Sequence, residues 1–392
     1  MLAALAMAEF LGMTLWFSAT AVTPALVAEF HMSAELAAWL TMAVQAGFVV
    51  GTLASAVLNL ADVLNARVLL FIGALAGAAA NASVLLASSA GGVIALRFLT
   101  GMALACVYPP GMKIAAGWFR TQRGFALGIV IGALTLGKAF PHLLTALYGH
   151  AWREPMLLAS GLAIAGGALV LLFVTDGPFV AATARFDARA VGRIFRIRGA
   201  RLATLGYLGH MWELYAMWTW IAVLATASFA ASGSPSPAAQ GSIAAFVAIA
   251  SGTAGCAMAG WLADRLGRAR VAIWAMWTSA ACAALTPLAF GASPLVFFAL
   301  AMIWGFAVVA DSAQFSALVS DYSPPNHIGT ALTLQTCLGF LLTMVTIELL
   351  PRVADASSWR WASLLLVPGP LLGIVAMRGL TETESEERRT KD

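Results

Sequence analysis

The chain has 392 residues, 61% of them hydrophobic and only 10% charged, against roughly 45–50% and about 25% in soluble domains. A water-soluble fold cannot bury that much apolar surface, so a polytopic membrane protein is indicated instead. The formal charge of +4 does not point to nucleic acid, because the basic residues fall in short connectors rather than on one soluble face.

Apolar runs of about 20 residues, each long enough to cross the hydrocarbon core, alternate with polar or Gly/Pro-bearing connectors and predict twelve spans. The opening run MLAALAMAEFLGMTLWFSATAV has no Lys or Arg ahead of its apolar part and continues past the length of a signal-peptide core. It reads as the first span, with a cleaved signal as the alternative. The first six spans are expected near 5–28, 40–60, 67–88, 93–117, 124–147 and 155–175, within an N-terminal bundle of residues 1–175. A linker, 176–200, follows, and its Arg185, Arg189, Arg193, Arg196 and Arg198 recur at short spacing up to Arg201. That pattern suits a basic amphipathic helix at a lipid surface. The last six spans are expected near 202–228, 242–262, 271–290, 294–318, 329–350 and 361–378, within a C-terminal bundle of residues 201–380. The remainder, 381–392, reads as a solvated tail without a lipidation motif. Sixteen of the Lys and Arg residues lie in connectors after even-numbered spans or in the tail and three after odd-numbered ones, which places both termini in the cytoplasm. Cys106, Cys256, Cys282 and Cys337 are scattered in apolar runs and suggest neither a disulfide framework nor a zinc site.

The two halves carry a shared signature. Leu60, Ala61, Asp62 and Leu64 follow the second span, and Leu262, Ala263, Asp264 and Leu266 follow the eighth. A duplication of six spans is what a transporter built from two rocking bundles requires. The loop GWLADRLGRAR, Gly260 to Arg270, and the worn first-half copy LNLADVLNAR resemble the GxLaDrxGrr motif of the major facilitator superfamily. Arg97, Thr100 and Gly101 fit its RxxqGxgaa pattern in the fourth span. In the fifth, Gly128, Gly132 and Gly137 fit the drug-exporter motif, but Ala133 stands where its proline belongs, which disfavours export. The resemblance, nearest to nitrate/nitrite or organic-anion carriers, implies an all-α fold of twelve transmembrane helices in two six-helix bundles around a central cavity. It also implies that Asp62, Gly260, Asp264, Arg265, Gly267 and Arg268 form a cytoplasmic latch. The arginines of nitrate carriers in the second and eighth spans are absent, and the second span offers Gln45 and Thr52 instead.

Charged side chains inside a bilayer cost roughly 2.5–3.5 kcal/mol each on insertion scales, so each is a candidate for function. Lys138 lies about 21 Å into the fifth span at 1.5 Å per residue, and His142 and Thr145 continue its stripe. In GHMWELYAMW of the seventh span, His210, Glu213 and Met217 share a stripe with Tyr207. One reading makes Lys138 the receptor of an anionic substrate, helped by His142, Arg97, Gln45, Trp16 and Tyr207. Glu213 then faces it from the opposite half and exchanges protons, with His210 and Asp311 as further proton groups. The competing reading is a permanent ion pair, Lys138 with Glu213 or Arg97 with Glu9, that fixes helix register. Lys113 reads as a snorkelling amine beside the kink at Pro109 and Pro110, and Glu348 is expected to meet Arg352. The thirteen tryptophans are interface markers or, less simply, an aromatic cage.

These observations lead to a proton-coupled secondary transporter of a small anionic metabolite, working without a cofactor as a monomer in a bacterial plasma membrane. The expected partners are the substrate, protons and lipid, with no nucleic acid. The alternatives are a proton-driven exporter of amphipathic compounds, or a copper carrier using His210, Met217 and His142. A membrane enzyme is not indicated, because no nucleophile elbow, Walker loop or HExxH occurs.

Overall fold

The computed structural model describes residues 1–119, 123–149, 151–179, 187 and 190–389. Among these the secondary structure is helical throughout, and eleven segments are long and apolar enough to cross a membrane. The first apolar segment makes the twelfth crossing, although it is interrupted where the hydropathy pattern predicts one continuous span. It consists of α1 (Leu2–Met13), α2 (Ser18–Ala21) and α3 (Thr23–Phe30). The interruption begins at Thr14, whose hydroxyl donates to Leu11 O at 2.7 Å and to Ala159 O at 3.1 Å. The backbone then tightens into i→i−3 bonds through Trp16 and leaves carbonyls exposed for other donors. Pro24 sits in the first turn of α3, where its missing N–H costs nothing.

The second span is α4 (Ala34–Leu58), capped by Ser33 and stopped by Asn59 in the left-handed region, with a short α5 (Leu60–Val63) beyond it. The third is α6 (Ala66–Ala82), capped by Asn65. The fourth divides into α7 (Ala90–Leu104) and α8 (Tyr108–Trp118), because Pro109 and Pro110 cannot donate to the preceding turn. The fifth is α9 (Arg123–Tyr148) and the sixth α10 (Arg153–Phe173). In the linker, α11 (Val191–Arg196) is a six-residue helix that carries Arg193 and Arg196 and buries Ile194. The expected basic helix is thus short where described, and Arg185 and Arg189 lie outside the described residues.

The seventh span, α12 (Arg198–Ala231), is the longest helix, at 34 residues. It is followed by α13 (Pro237–Leu266) and α14 (Arg268–Ala289). The tenth span divides at Asp311 into α15 (Pro294–Ala310) and α16 (Ser312–Tyr322), mirroring the break in the fourth six spans earlier. The last two are α17 (Ile328–Ala356) and α18 (Trp359–Ala362) continuing into α19 (Pro368–Arg389).

Small residues set the packing in the same way in both halves. Gly101 lies against the Val44 carbonyl and Gly47 against the Phe98 carbonyl, so α4 and α7 touch backbone to backbone. Gly305 against Ala248 and Gly255 against Phe306 do the same for α13 and α15. Close approach through glycine is how apolar helices associate in lipid, where no hydrophobic force separates them from their solvent. The halves meet where α9 packs on α13 and α4 on α17. Hydrogen bonds cross that seam, among them Thr253 Oγ1 to Gly132 O at 3.0 Å and Thr343 Oγ1 to Gln45 Oε1 at 2.6 Å.

Candidate substrate site

The centre of the seam is occupied by Lys138. Gly137 lets α9 press onto the Phe10 carbonyl of α1, and the next residue, Lys138, reaches across to the other half. Its Nζ donates to Tyr215 Oη at 2.7 Å and lies 4.5 Å from the Trp16 ring, 5.1 Å from Tyr215 and 5.4 Å from Trp218. Trp16, Tyr215 and Trp218 are all buried. Phe17, Phe48 and Phe340 close a second ring around them, with centroid separations of 4.9–6.3 Å. Among the described residues no carboxylate lies within ion-pairing distance of Lys138. Cation–π contacts yield about 0.5–2 kcal/mol each, so the cage stabilises the ammonium without neutralising it.

The cage is surrounded by polar atoms that have no hydrogen-bond partner in the protein: Trp16 Nε1, Trp218 Nε1, Gln45 Nε2, both His142 ring nitrogens and both Glu9 oxygens. Buried polar groups are ordinarily satisfied, so such a concentration in one place is informative. Four of these residues carry donors, and Lys138 itself keeps N–H groups beyond the one given to Tyr215. The arrangement suits a ligand rich in acceptor oxygens.

The sequence-predicted site residues divide into three groups. Lys138, Trp16, His142 and Gln45 come together at the seam. Arg97 does not join them, although it determines where Trp16 sits. Its guanidinium donates to Leu15 O, Trp16 O and Leu40 O, to Ser18 Oγ and to Asn81 Oδ1, at 2.6–3.4 Å. It therefore satisfies the carbonyls freed by the break in the first span. The expected Arg97–Glu9 pair does not form, because those acceptors use the guanidinium seven residues further along the span.

Glu213 is the second correction. It does not face Lys138 but points into the C-terminal bundle, where Trp304 Nε1 donates to it at 2.6 Å and Ser279 Oγ at 2.8 Å. His210 and Tyr207 are not its partners. His210 Nδ1 lies 2.8 Å from Asp311 Oδ1 and its Nε2 2.9 Å from Ser312 Oγ, at the break between α15 and α16. Tyr207 packs on Gly339, His210 and Phe315. Residues 213 and 215 are about 200° apart around a helix at 100° per residue, so when Tyr215 faces the seam, Glu213 must face away from it.

At the cytoplasmic loop, Gly267 adopts φ +91 and ends α13, a conformation that other residues enter at a cost. Arg268 pairs with Asp321 at the end of the tenth span, and Arg265 lies 3.7 Å above the Trp261 ring. Gly260 is buried within α13, Asp264 is exposed, and the Asp62 side chain lies outside the described residues. The expected pair Arg352–Glu348 forms at 2.5 Å, and Arg352 also lies 3.7 Å from Glu35 of the other half.

Sequence reasoning missed Tyr215, Thr343, Ser279, Trp304 and Asn81. The i, i+3 spacing of Tyr215 and Trp218 was the available signal, since it defines a second stripe on the seventh span opposite Glu213.

Two comparisons bear on this site and its scaffold. The protein shares 30% identity over 148 residues with a galacturonate transporter of Dickeya chrysanthemi, covering 37% of this chain and 42% of that relative. The match thus spans less than half of the relative's length. The profile described as Major Facilitator Superfamily matches residues 5–236 and 215–392, two matches that overlap at the end of the seventh span. With twelve crossings, paired breaks in the fourth and tenth spans and a central seam between the halves, the chain belongs to the major facilitator superfamily.

Proposed function

We propose that the chain is a secondary active transporter that carries a small carboxylate, of the sugar-acid type, across a bacterial plasma membrane by alternating access, with protons as the coupling ion. The observation that carries this reading is the buried Lys138 ammonium, held by three aromatic rings and a tyrosine hydroxyl and left without a carboxylate partner. A substrate carboxylate supplies the missing countercharge. Hydroxyl oxygens on the same substrate satisfy the indole and amide donors, and the rings pack against its C–H faces. The name of the Dickeya relative, a galacturonate transporter, supports the same substrate class.

The other readings meet like charge at this point. A cationic amphipath or a copper ion would approach the Lys138 ammonium, and His142 and His210 lie in different halves. Among the described residues no group of three or more His, Cys, Asp or Glu side chains is arranged to hold a metal.

A thermal-shift comparison of the purified protein tests the reading, using galacturonate, neutral galactose, an organic amine and copper. Galacturonate is expected to stabilise the protein more than galactose does. Removing one partner of a buried charge pair costs about 2 kcal/mol or more, so Lys138→Ala weakens galacturonate binding at least roughly thirtyfold. Equal stabilisation by galactose, or unchanged binding in Lys138→Ala, refutes the anion reading.

A further inference from the structure

His142 lies in α9 one turn beyond Lys138, four residues further along the same stripe. Its side chain is fully buried, and neither ring nitrogen has a hydrogen-bond partner among the described residues. The ring packs against Phe17 at a centroid separation of 6.3 Å. A phenylalanine would fill the same space and leave no polar atom unpaired, so packing alone gives no reason for an imidazole here.

Trp218 stands in the matching place on the other half. It follows Tyr215 by three residues in α12, and its indole Nε1 is likewise buried without a partner among the described residues. Phe17 meets this ring too, edge-on at 6.2 Å, and Lys138 Nζ lies 5.4 Å from it. The fifth and seventh spans are both odd-numbered and cross the membrane in the same direction, so His142 and Trp218 lie on the same side of the Lys138–Tyr215 bond. At 1.5 Å per residue they are displaced from it by about 6 and about 4.5 Å along their helix axes. Phe17 thus has an unpaired imidazole of α9 and an unpaired indole N–H of α12 against it, both beside the ammonium.

A ligand held by its carboxylate at Lys138 and extending in that direction meets a group that can give and take hydrogen bonds. An uncharged imidazole has one donor and one acceptor nitrogen. A carboxylate oxygen only accepts, and a C–H face does neither. A hydroxyl both gives and takes, so it suits either tautomer of His142 and can at the same time accept from Trp218 Nε1.

We propose that His142 is the specificity-determining group of this site, reading a hydroxyl of the substrate and so selecting hydroxy acids over carboxylates with bare carbon chains or rings; the inference rests on reading Lys138 as the anion receptor. Lys138 supplies the affinity common to all carboxylates. His142, with Trp218, supplies the difference between them. When the site opens, water serves both groups; an analogue without the hydroxyl expels that water and puts nothing in its place.

The test is a calorimetric titration of the purified full chain with galacturonate and with tetrahydropyran-2-carboxylate, which keeps the six-membered ring and the carboxylate and lacks every hydroxyl. Wild type should bind galacturonate at least about fivefold more tightly. His142→Phe, which preserves the ring against Phe17, should weaken galacturonate by about 5- to 150-fold and leave tetrahydropyran-2-carboxylate unchanged, so that the ratio collapses. His142→Gln restores a donor and an acceptor and should recover part of the ratio, whereas Lys138→Ala should weaken both ligands by a similar factor. Equal affinity of wild type for the two ligands overturns the proposal without recourse to any variant. So does a His142→Phe protein that keeps the wild-type ratio, or one that loses affinity for both ligands by the same factor, the mark of a merely structural histidine. In each of those cases, loss of both ligands in Lys138→Ala leaves the anion reading standing. Wild type that binds neither ligand refutes the anion reading and this proposal with it.

Discussion

Replacing Arg97 by methionine keeps a long flexible side chain and removes every guanidinium hydrogen bond. Five acceptors lose a donor: the carbonyls of Leu15, Trp16 and Leu40, Ser18 Oγ and Asn81 Oδ1. Interhelical hydrogen bonds measured inside membrane proteins average about 0.6 kcal/mol each, so five give roughly 3 kcal/mol. A second route leads to a similar value. Leu40 O lies within α4 and keeps its intrahelical bond, and the single Ser18 hydroxyl proton serves either Leu15 O or Asn81 Oδ1, so the stranded acceptors are chiefly Trp16 O and one of that pair. At about 1–3 kcal/mol for each buried unsatisfied group, the loss is about 2–6 kcal/mol. The relief of removing a membrane charge, about 2.5–3.5 kcal/mol on insertion scales, belongs to insertion and is largely shared by the folded and unfolded chain within one micelle.

Arg97→Met is therefore expected to lower stability in detergent by about 3 kcal/mol, and Arg97→Lys by less, since an ammonium retains three donors. Thermal or denaturant unfolding of the purified protein measures this. On the proposed reading the substitution should also reduce galacturonate affinity, because Trp16 loses its carbonyl anchor. Methionine at 97 giving unchanged or greater stability would mean that the break in the first span holds itself, and the argument from freed carbonyls would be wrong.

Two further outcomes follow from the geometry. Tyr215→Phe keeps the ring beside Lys138 and removes the hydroxyl, so the unliganded protein should lose about 1.5–3 kcal/mol, the worth of a hydrogen bond to a charged group. Equal unfolding temperatures for Tyr215→Phe and wild type would show that the ring face alone holds the ammonium. The Arg268–Asp321 pair is solvent-exposed, so Asp321→Asn should change stability by less than about 1 kcal/mol. A latch role would instead appear as an altered rate of galacturonate exchange in liposomes at unchanged binding affinity.

The crossings were legible because each is a long apolar run between charged connectors, and the repeat was legible because the Asp62 and Asp264 loops lie six spans apart. The interruptions were harder to see. Prolines 109 and 110 announced the break in the fourth span, whereas the break in the first follows from one hydroxyl, Thr14, and one distant guanidinium, Arg97. Hydropathy weighs a segment by its average and does not register a partner 81 residues away.

The site was half legible for a related reason. A lysine in mid-membrane identifies itself by its cost, and the amphipathic period places His142 beside it. In the seventh span, however, two stripes compete: His210, Glu213 and Met217 on one side, Tyr215 and Trp218 on the other. A span buried on every side has no solvent face to set its rotation, and a carboxylate looked the better partner for a lysine. The structure resolves the rotation through packing: Gly206 and Gly209 bring α12 against α19, and Tyr215 then turns toward the seam. Lys138 of the fifth span thereby bonds to Tyr215 of the seventh, so any movement that separates the halves must break that contact. On the proposed reading, a substrate carboxylate that enters as the halves part meets an ammonium that has just lost its partner from the other half.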